Sequence, residues 1–130
     1  MLIWRQNKFG VAHRRDRTVG NRTYASGAEK RYREYLDMLA MTKLVSDIVE
    51  QPKVDLTAGI TYKPDFRYTD TTGMHVWVEV KGVMTDRFRM IKKLWRVYGP
   101  GPLHVVREDR TKGRFGTIQI IYPKGGDAID

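Results

Sequence analysis

Residues 60–83 read ITYKPDFRYTDTTGMHVWVEVKGV, and this stretch decides the fold. From His75 to Val83 the chain is a valine-rich strand. Side chains alternate along a strand, so Val76, Val78 and Val80 share one face while Trp77, Glu79 and Lys81 share the other. Apolar residues on both faces predict a central position in a sheet, where charges such as Glu79 and Lys81 need partners. Upstream, Ile60–Tyr68 reads as a second strand, entered through a turn at Ala58-Gly59. Thr69-Asp70-Thr71-Thr72-Gly73 reads as the hairpin loop that joins the two strands. Thirteen residues separate Asp65 from Glu79, a connection short enough to set them side by side on neighbouring strands.

The flanking sequence supplies helices. Ser26-Gly27-Ala28-Glu29 is a capping box, in which Ser26 accepts from the amide of residue 29 and Glu29 reaches back to the amide of residue 26. Ala28, Tyr32, Tyr35, Leu36 and Leu39 then recur at helical spacing, which predicts a helix over about 27–42. A strand follows over Leu44–Gln51, continued after Pro52 by Val54–Leu56. Beyond the central strand, Thr85 caps a helix over Asp86–Tyr98 with Phe88, Ile91, Leu94, Trp95 and Tyr98 on its apolar face. Gly99-Pro100-Gly101-Pro102 ends it. Strands at Leu103–Arg107 and Thr117–Tyr122 complete the order α-β-β-β-α-β-β, an α/β chain with a mixed sheet flanked by helices.

Two carboxylates meeting on adjacent strands offer hard oxygen ligands for Mg²⁺ or Mn²⁺, which retain part of their water shell. Asp65 and Glu79 are that pair, and the carbonyl of Val80 is a further candidate ligand. Lys81 projects from the same face as Glu79, where an ammonium can stabilise charge developing on a phosphoryl group. The plainer reading of a same-face Glu and Lys is a solvated salt bridge. The Pro-Asp on the preceding strand and the basic helix that follows favour the catalytic one.

At 130 residues the chain is expected to form one domain. It has no cysteine, which excludes disulfides and thiolate zinc sites, and no segment approaches the ~20 apolar residues of a membrane helix. The expectation is a cytosolic protein. Twenty-four Lys and Arg face fifteen Asp and Glu, for a net charge of +9. Residues 1–24 carry Arg5, Lys8, Arg14, Arg15, Arg17 and Arg22 against Asp16 alone, so more than half of that excess lies in a segment with few apolar residues. This predicts a basic arm that attracts polyanions. The tail from Lys124 is expected to fray. No Gly-rich phosphate loop or serine-nucleophile motif occurs, and His13, His75 and His104 lack partners at metal-ligand spacing.

Pro64-Asp65 followed by Glu79-Val80-Lys81 between two helices resembles the PD-(D/E)XK nuclease superfamily, over about residues 24–122. Within it the chain is most similar to small archaeal and phage Holliday-junction resolvases. The resemblance implies a restriction-endonuclease-like αβββαβ core over residues 25–123 and Mg²⁺-dependent cleavage of DNA, with four-way junctions as substrate. It also implies a two-fold dimer, matching the symmetry of such a junction. Asp65 and Glu79 would bind the metal, Lys81 would assist attack, and a glutamate on the first helix would complete the site. Glu29, about 70° from the centre of that helix's buried stripe, is the candidate. DNA contacts are expected from Arg14, Arg15, Arg17 and Arg22 in the arm and from Arg87, Arg89, Lys92 and Lys93 on the second helix. Ser46 and Gln51-Pro52 are further candidates whose role the sequence leaves open. Other structure-dependent or sequence-specific nucleases of the same core, or a DNA-binding module without catalysis, remain as alternatives, and RNA as a substrate stays open.

Overall fold

The computed structural model describes residues 26–124 and, before them, the backbone of Thr18–Val19 and Arg22–Thr23. The latter form β1 (Thr18–Val19) and β2 (Arg22–Thr23), a two-residue antiparallel ladder pairing Thr18 with Thr23. The predicted arm thus contains a minimal hairpin. Arg14, Arg15 and Arg17 lie outside the described residues, as does the tail beyond Lys124.

Helix α1 spans Gly27–Met41, and the Ser26 side chain accepts from the Glu29 amide at 3.1 Å, as the capping box requires. Helix α2 spans Asp86–Tyr98, with Thr85 accepting from the Phe88 amide at 3.1 Å. Between them run β3 (Ser46–Glu50), β4 (Val54–Thr57), β5 (Ile60–Tyr62), β6 (Phe66–Thr69) and β7 (His75–Val80). After α2 come β8 (Leu103–Asp109) and β9 (Arg114–Ile121).

Five strands form one mixed sheet in the order β3-β6-β7-β8-β9. The β7–β8 pair is parallel, because α2 carries the chain back across the sheet, and the others are antiparallel. The fold is therefore mixed α/β, with β7 at the centre of the sheet. The parity of β7 divides the core. Val76 and Val78 pack with Tyr32 and Leu36 of α1, and with Phe66 and Val106. Trp77 packs with Phe88, Ile91 and Trp95 of α2, and with Leu103, Val105 and Ile121.

Two expectations about the strands need correction. Val54–Leu56 does not continue β3, and Ile60–Tyr68 is not one strand. Instead β4 and β5 pair with each other as a separate antiparallel sheet, which turns at Ala58 (φ 50°) and Gly59 (φ 77°). Proline explains both breaks. It has no amide hydrogen for a ladder, so Pro52 divides β3 from β4 and Pro64 divides β5 from β6. Val54, Leu56 and Tyr62 of the small sheet join the core beneath α2. The central strand also stops earlier than expected, at Val80, although the Lys81 amide still donates to the Val106 carbonyl at 2.9 Å. The last two strands are longer than expected, because Asp109 and Arg114 remain paired beside a turn in which Gly113 takes φ 62°.

Gly99 and Gly101 do more than end α2. A Cβ at Gly99 would sit 2.6 Å from the Trp95 ring, and one at Gly101 would sit 2.6 Å from the Trp77 ring. The indole of Trp95 donates to the Gly101 carbonyl at 2.8 Å. Among the described residues no helix is long and apolar enough to cross a membrane.

Candidate active site

The register of β6 and β7 positions the carboxylates. The last pair of the ladder is Phe66 with Val78, so Asp65, the bend residue just before β6, stands beside the end of β7 and within electrostatic reach of Glu79. The Pro64 break fixes this geometry from the other side. The Gln51 amide, at φ 49°, donates to the Asp65 carbonyl at 2.9 Å, and the Val80 amide donates to Asp65 Oδ2 at 2.7 Å. Gln51 thus contributes through its backbone, while its side chain is exposed.

Glu79 is only 8 % exposed although it is a carboxylate in the middle of a sheet. The phenol of Tyr62 donates to its Oε1, and Lys81 Nζ lies 3.4 Å from its Oε2. The Lys81 ammonium also sits 4.6 Å from the centre of the Phe88 ring, a cation–π placement that steadies it at the mouth of the site. Glu29 is buried on the first turn of α1, within electrostatic reach of Asp65.

Crowding three carboxylates in a buried place has a direct electrostatic result. Burial pushes the Asp65 carboxyl well above the ordinary range, and the charges of Glu79 and Glu29 push it further. The Val80 amide and Lys81 oppose the rise. Burial likewise raises Glu79, against the Tyr62 hydrogen bond, Lys81 and Arg87. Tyr62 stays a neutral donor, because burial and the neighbouring Glu79 lift its phenol far above physiological pH. A cluster of this kind is stabilised by retaining a proton or by gaining a cation. Among the described residues no three of His, Asp and Glu converge as a ready-made chelate. Mg²⁺, however, is commonly held by one or two carboxylates with the remaining positions filled by water, and the Asp65–Glu79 pair is of that type.

The expected site residues Glu29, Asp65, Glu79, Val80 and Lys81 thus gather at one end of the sheet. The expected DNA contacts do not gather in the same way. Arg87 lines a cleft beside Glu79 and Lys81. Arg89 pairs with Asp86 at 2.6 Å on the exposed side of α2, Lys92 donates to Gln119 of β9 at 3.1 Å, and Lys93 faces solvent. Only the backbone of Arg22 is described. Ser46 pairs with Thr69, at the far end of β6 from Asp65, so it stands away from the cluster.

Tyr62 is a site residue that the sequence reading misses. With Ile60–Tyr68 as a single strand, Tyr62 shares parity with Pro64 and Phe66 and faces away from Asp65. The break at Pro64 releases that constraint and lets Tyr62 reach Glu79. The signal that would reveal this is Pro64 itself, which is disfavoured in the interior of a paired strand.

No curated protein matches the chain. Residues 12–106, most of its length, match the family described as "Protein of unknown function (DUF1064)". The segment matched contains α1, the small sheet and every residue of the carboxylate cluster, so the chain is a member of the DUF1064 family.

Proposed function

We propose that the chain is a divalent-metal-dependent phosphodiesterase acting on DNA, a nuclease of the PD-(D/E)XK kind. The observation that carries this reading is the juxtaposition of Asp65, just before β6, with Glu79 near the end of β7, with Lys81 against Glu79 and Glu29 within electrostatic reach of Asp65. The element order α1-β3-β6-β7-α2-β8 supports a restriction-endonuclease-like core, in which β4–β5 is an insertion between the first and second core strands.

Asp65, Glu79 and the Val80 carbonyl would hold Mg²⁺ or Mn²⁺, which when bound acidifies water and polarises a phosphoryl oxygen. Tyr62 fixes one oxygen of Glu79 and so orients the other. Lys81 presents a positive charge to the phosphoryl oxygens and stabilises the negative charge that builds on them. Glu29 supplies a third acceptor to orient water. Branched DNA is the proposed substrate, with a four-way junction and a two-fold dimer as its specific form.

The test is cleavage of labelled four-way junction, flap, duplex and single-stranded DNA, with Mg²⁺, Mn²⁺, Ca²⁺ or chelator. Cleavage is expected with Mg²⁺ or Mn²⁺ and should stop with chelator. Asp65→Asn and Glu79→Gln should lose cleavage and keep DNA affinity, and Lys81→Ala should lose cleavage with some loss of affinity. Undiminished cutting in excess chelator refutes the mechanism. A second reading, a DNA-binding module, draws on the fact that both Glu79 oxygens already have partners. Tight binding with no cutting under any metal would establish it.

A further inference from the structure

A cleft of about 380 Å³ lies beside the carboxylate cluster, between β5 and the first turn of α2. Glu79 and Lys81 form the wall it shares with the cluster, while Asp65 and Glu29 do not line it. Its floor is apolar, made by Phe88 and Ile91, and its rim is polar and cationic, with Lys63 and Arg87 facing one space. Among the described residues neither cation makes a close ion pair, whereas Arg31, Arg33 and Arg89 each do, and Arg87 acts on Glu79 only through its field. The one carboxylate in the cleft, Glu79, is already engaged by Tyr62 and Lys81. Like charges held in one concavity repel unless an anion fills it.

We infer that this cleft is a subsite for one nucleotide of the DNA strand, its phosphate held by Lys63 and Arg87 and its sugar and base resting on the Phe88–Ile91 floor. A volume in the ~300–1,000 Å³ range of small-ligand pockets suits such a unit. A bare anion would use the rim and leave the floor unused. The inference rests on the phosphodiesterase reading for the identity of the anion. It adds that the strand runs between β5 and α2, with its neighbouring phosphate on residues that are not among the proposed metal ligands.

The experiment is fluorescence anisotropy of a short labelled oligothymidine in Ca²⁺ across a range of salt concentrations. It compares wild type, Lys63→Gln/Arg87→Gln, and a charge-matched control, Lys43→Gln/Lys124→Gln. Both control residues are exposed and lie at the opposite end of the sheet. The cleft pair should bind roughly tenfold more weakly and lose about 0.7 from the log–log salt slope for each phosphate contact removed. The control should match wild type. Thymidine 3′,5′-bisphosphate should compete better than inorganic pyrophosphate. An unchanged cleft pair, an equal loss in the control, or no binding by wild type overturns the subsite, and equal competition by pyrophosphate overturns the nucleotide assignment. Cleavage with Mg²⁺ is scored separately. Cutting that persists while the cleft pair binds normally refutes only this inference. Weakened binding without any cutting refutes only the nuclease reading.

Discussion

Replacing Asp65 by Asn should stabilise the metal-free protein. Asp65 stands one residue beyond the last β6–β7 pair and within electrostatic reach of Glu79, and neighbouring side chains across paired strands are about 5 Å apart. Two negative charges at that distance repel by about 3 kcal/mol at an effective dielectric constant of ~20. Glu29 adds to the repulsion, while Lys81 and the charge on the Val80 hydrogen bond offset part of it. Asn keeps the shape and still accepts from the Val80 amide, so the net gain should be about 1–2 kcal/mol, or roughly 3–8 °C in Tm for a chain of this size. The effect must also depend on pH. The folded-state pKa of Asp65 is raised, so its contribution to stability is present below the ordinary aspartate value, about 4, and is lost as pH rises through the raised value. The advantage of Asp65→Asn should therefore be absent in acid and grow towards neutrality. Saturating Mg²⁺ should reverse the order, since a cation held one hundredfold above its Kd adds about 2.7 kcal/mol to the wild type and little to the variant. Differential scanning calorimetry across pH, with and without Mg²⁺, is the assay. A metal-free Asp65→Asn that melts below wild type at neutral pH would refute the electrostatic reasoning.

Two further outcomes follow from the packing around the site. Tyr62→Phe keeps the buried ring but removes the donor to Glu79, which should cost about 1.5–3 kcal/mol and raise the Glu79 carboxyl further. If the chain is the proposed phosphodiesterase, Glu79 must be ionised to hold a cation, so the acid limb of the cleavage–pH profile should move to higher pH and the Mg²⁺ requirement should rise, with KM for DNA unchanged. An unmoved acid limb would remove Tyr62 from this role. Gly99→Ala places a Cβ 2.6 Å from the fully buried Trp95 ring and should destabilise by about 1–3 kcal/mol, read as a fall in the denaturant midpoint. A midpoint equal to wild type would show that Trp95 can shift without loss.

The helices are legible in the sequence because their ends are written locally. Ser26 and Thr85 cap them, and the Gly-Pro run closes α2. The two faces of β7 are legible for the same kind of reason, since alternation is a property of the strand alone. The small β4–β5 sheet is not, because nothing in Val54–Leu56 says which partner it pairs with, and pairing is a long-range choice. Asp65, Glu79 and Lys81 stand out by residue type and spacing. Tyr62 does not, because its contact depends on a change of direction at Pro64 that periodicity cannot express. The basic residues of α2 look alike in sequence, yet a surface ion pair claims Arg89 and a neighbouring strand claims Lys92, leaving Arg87 to the cleft.

Tyr62 belongs to two systems at once. Its hydroxyl holds a carboxylate, and its ring packs edge-on against Trp95 at 6.0 Å and beside Phe88 at 6.4 Å. Sites of this construction blur the usual division between residues that make a protein fold and residues that make it work. A conservative change at Trp95 or Phe88 that leaves the chain folded would tilt the phenol and misalign Glu79. In a mutational scan scored on activity, those two aromatic positions would rank with the charged residues. A scan scored on abundance would pass over the same mild changes, and the difference between the two maps would trace the path by which the interior aims the chemistry.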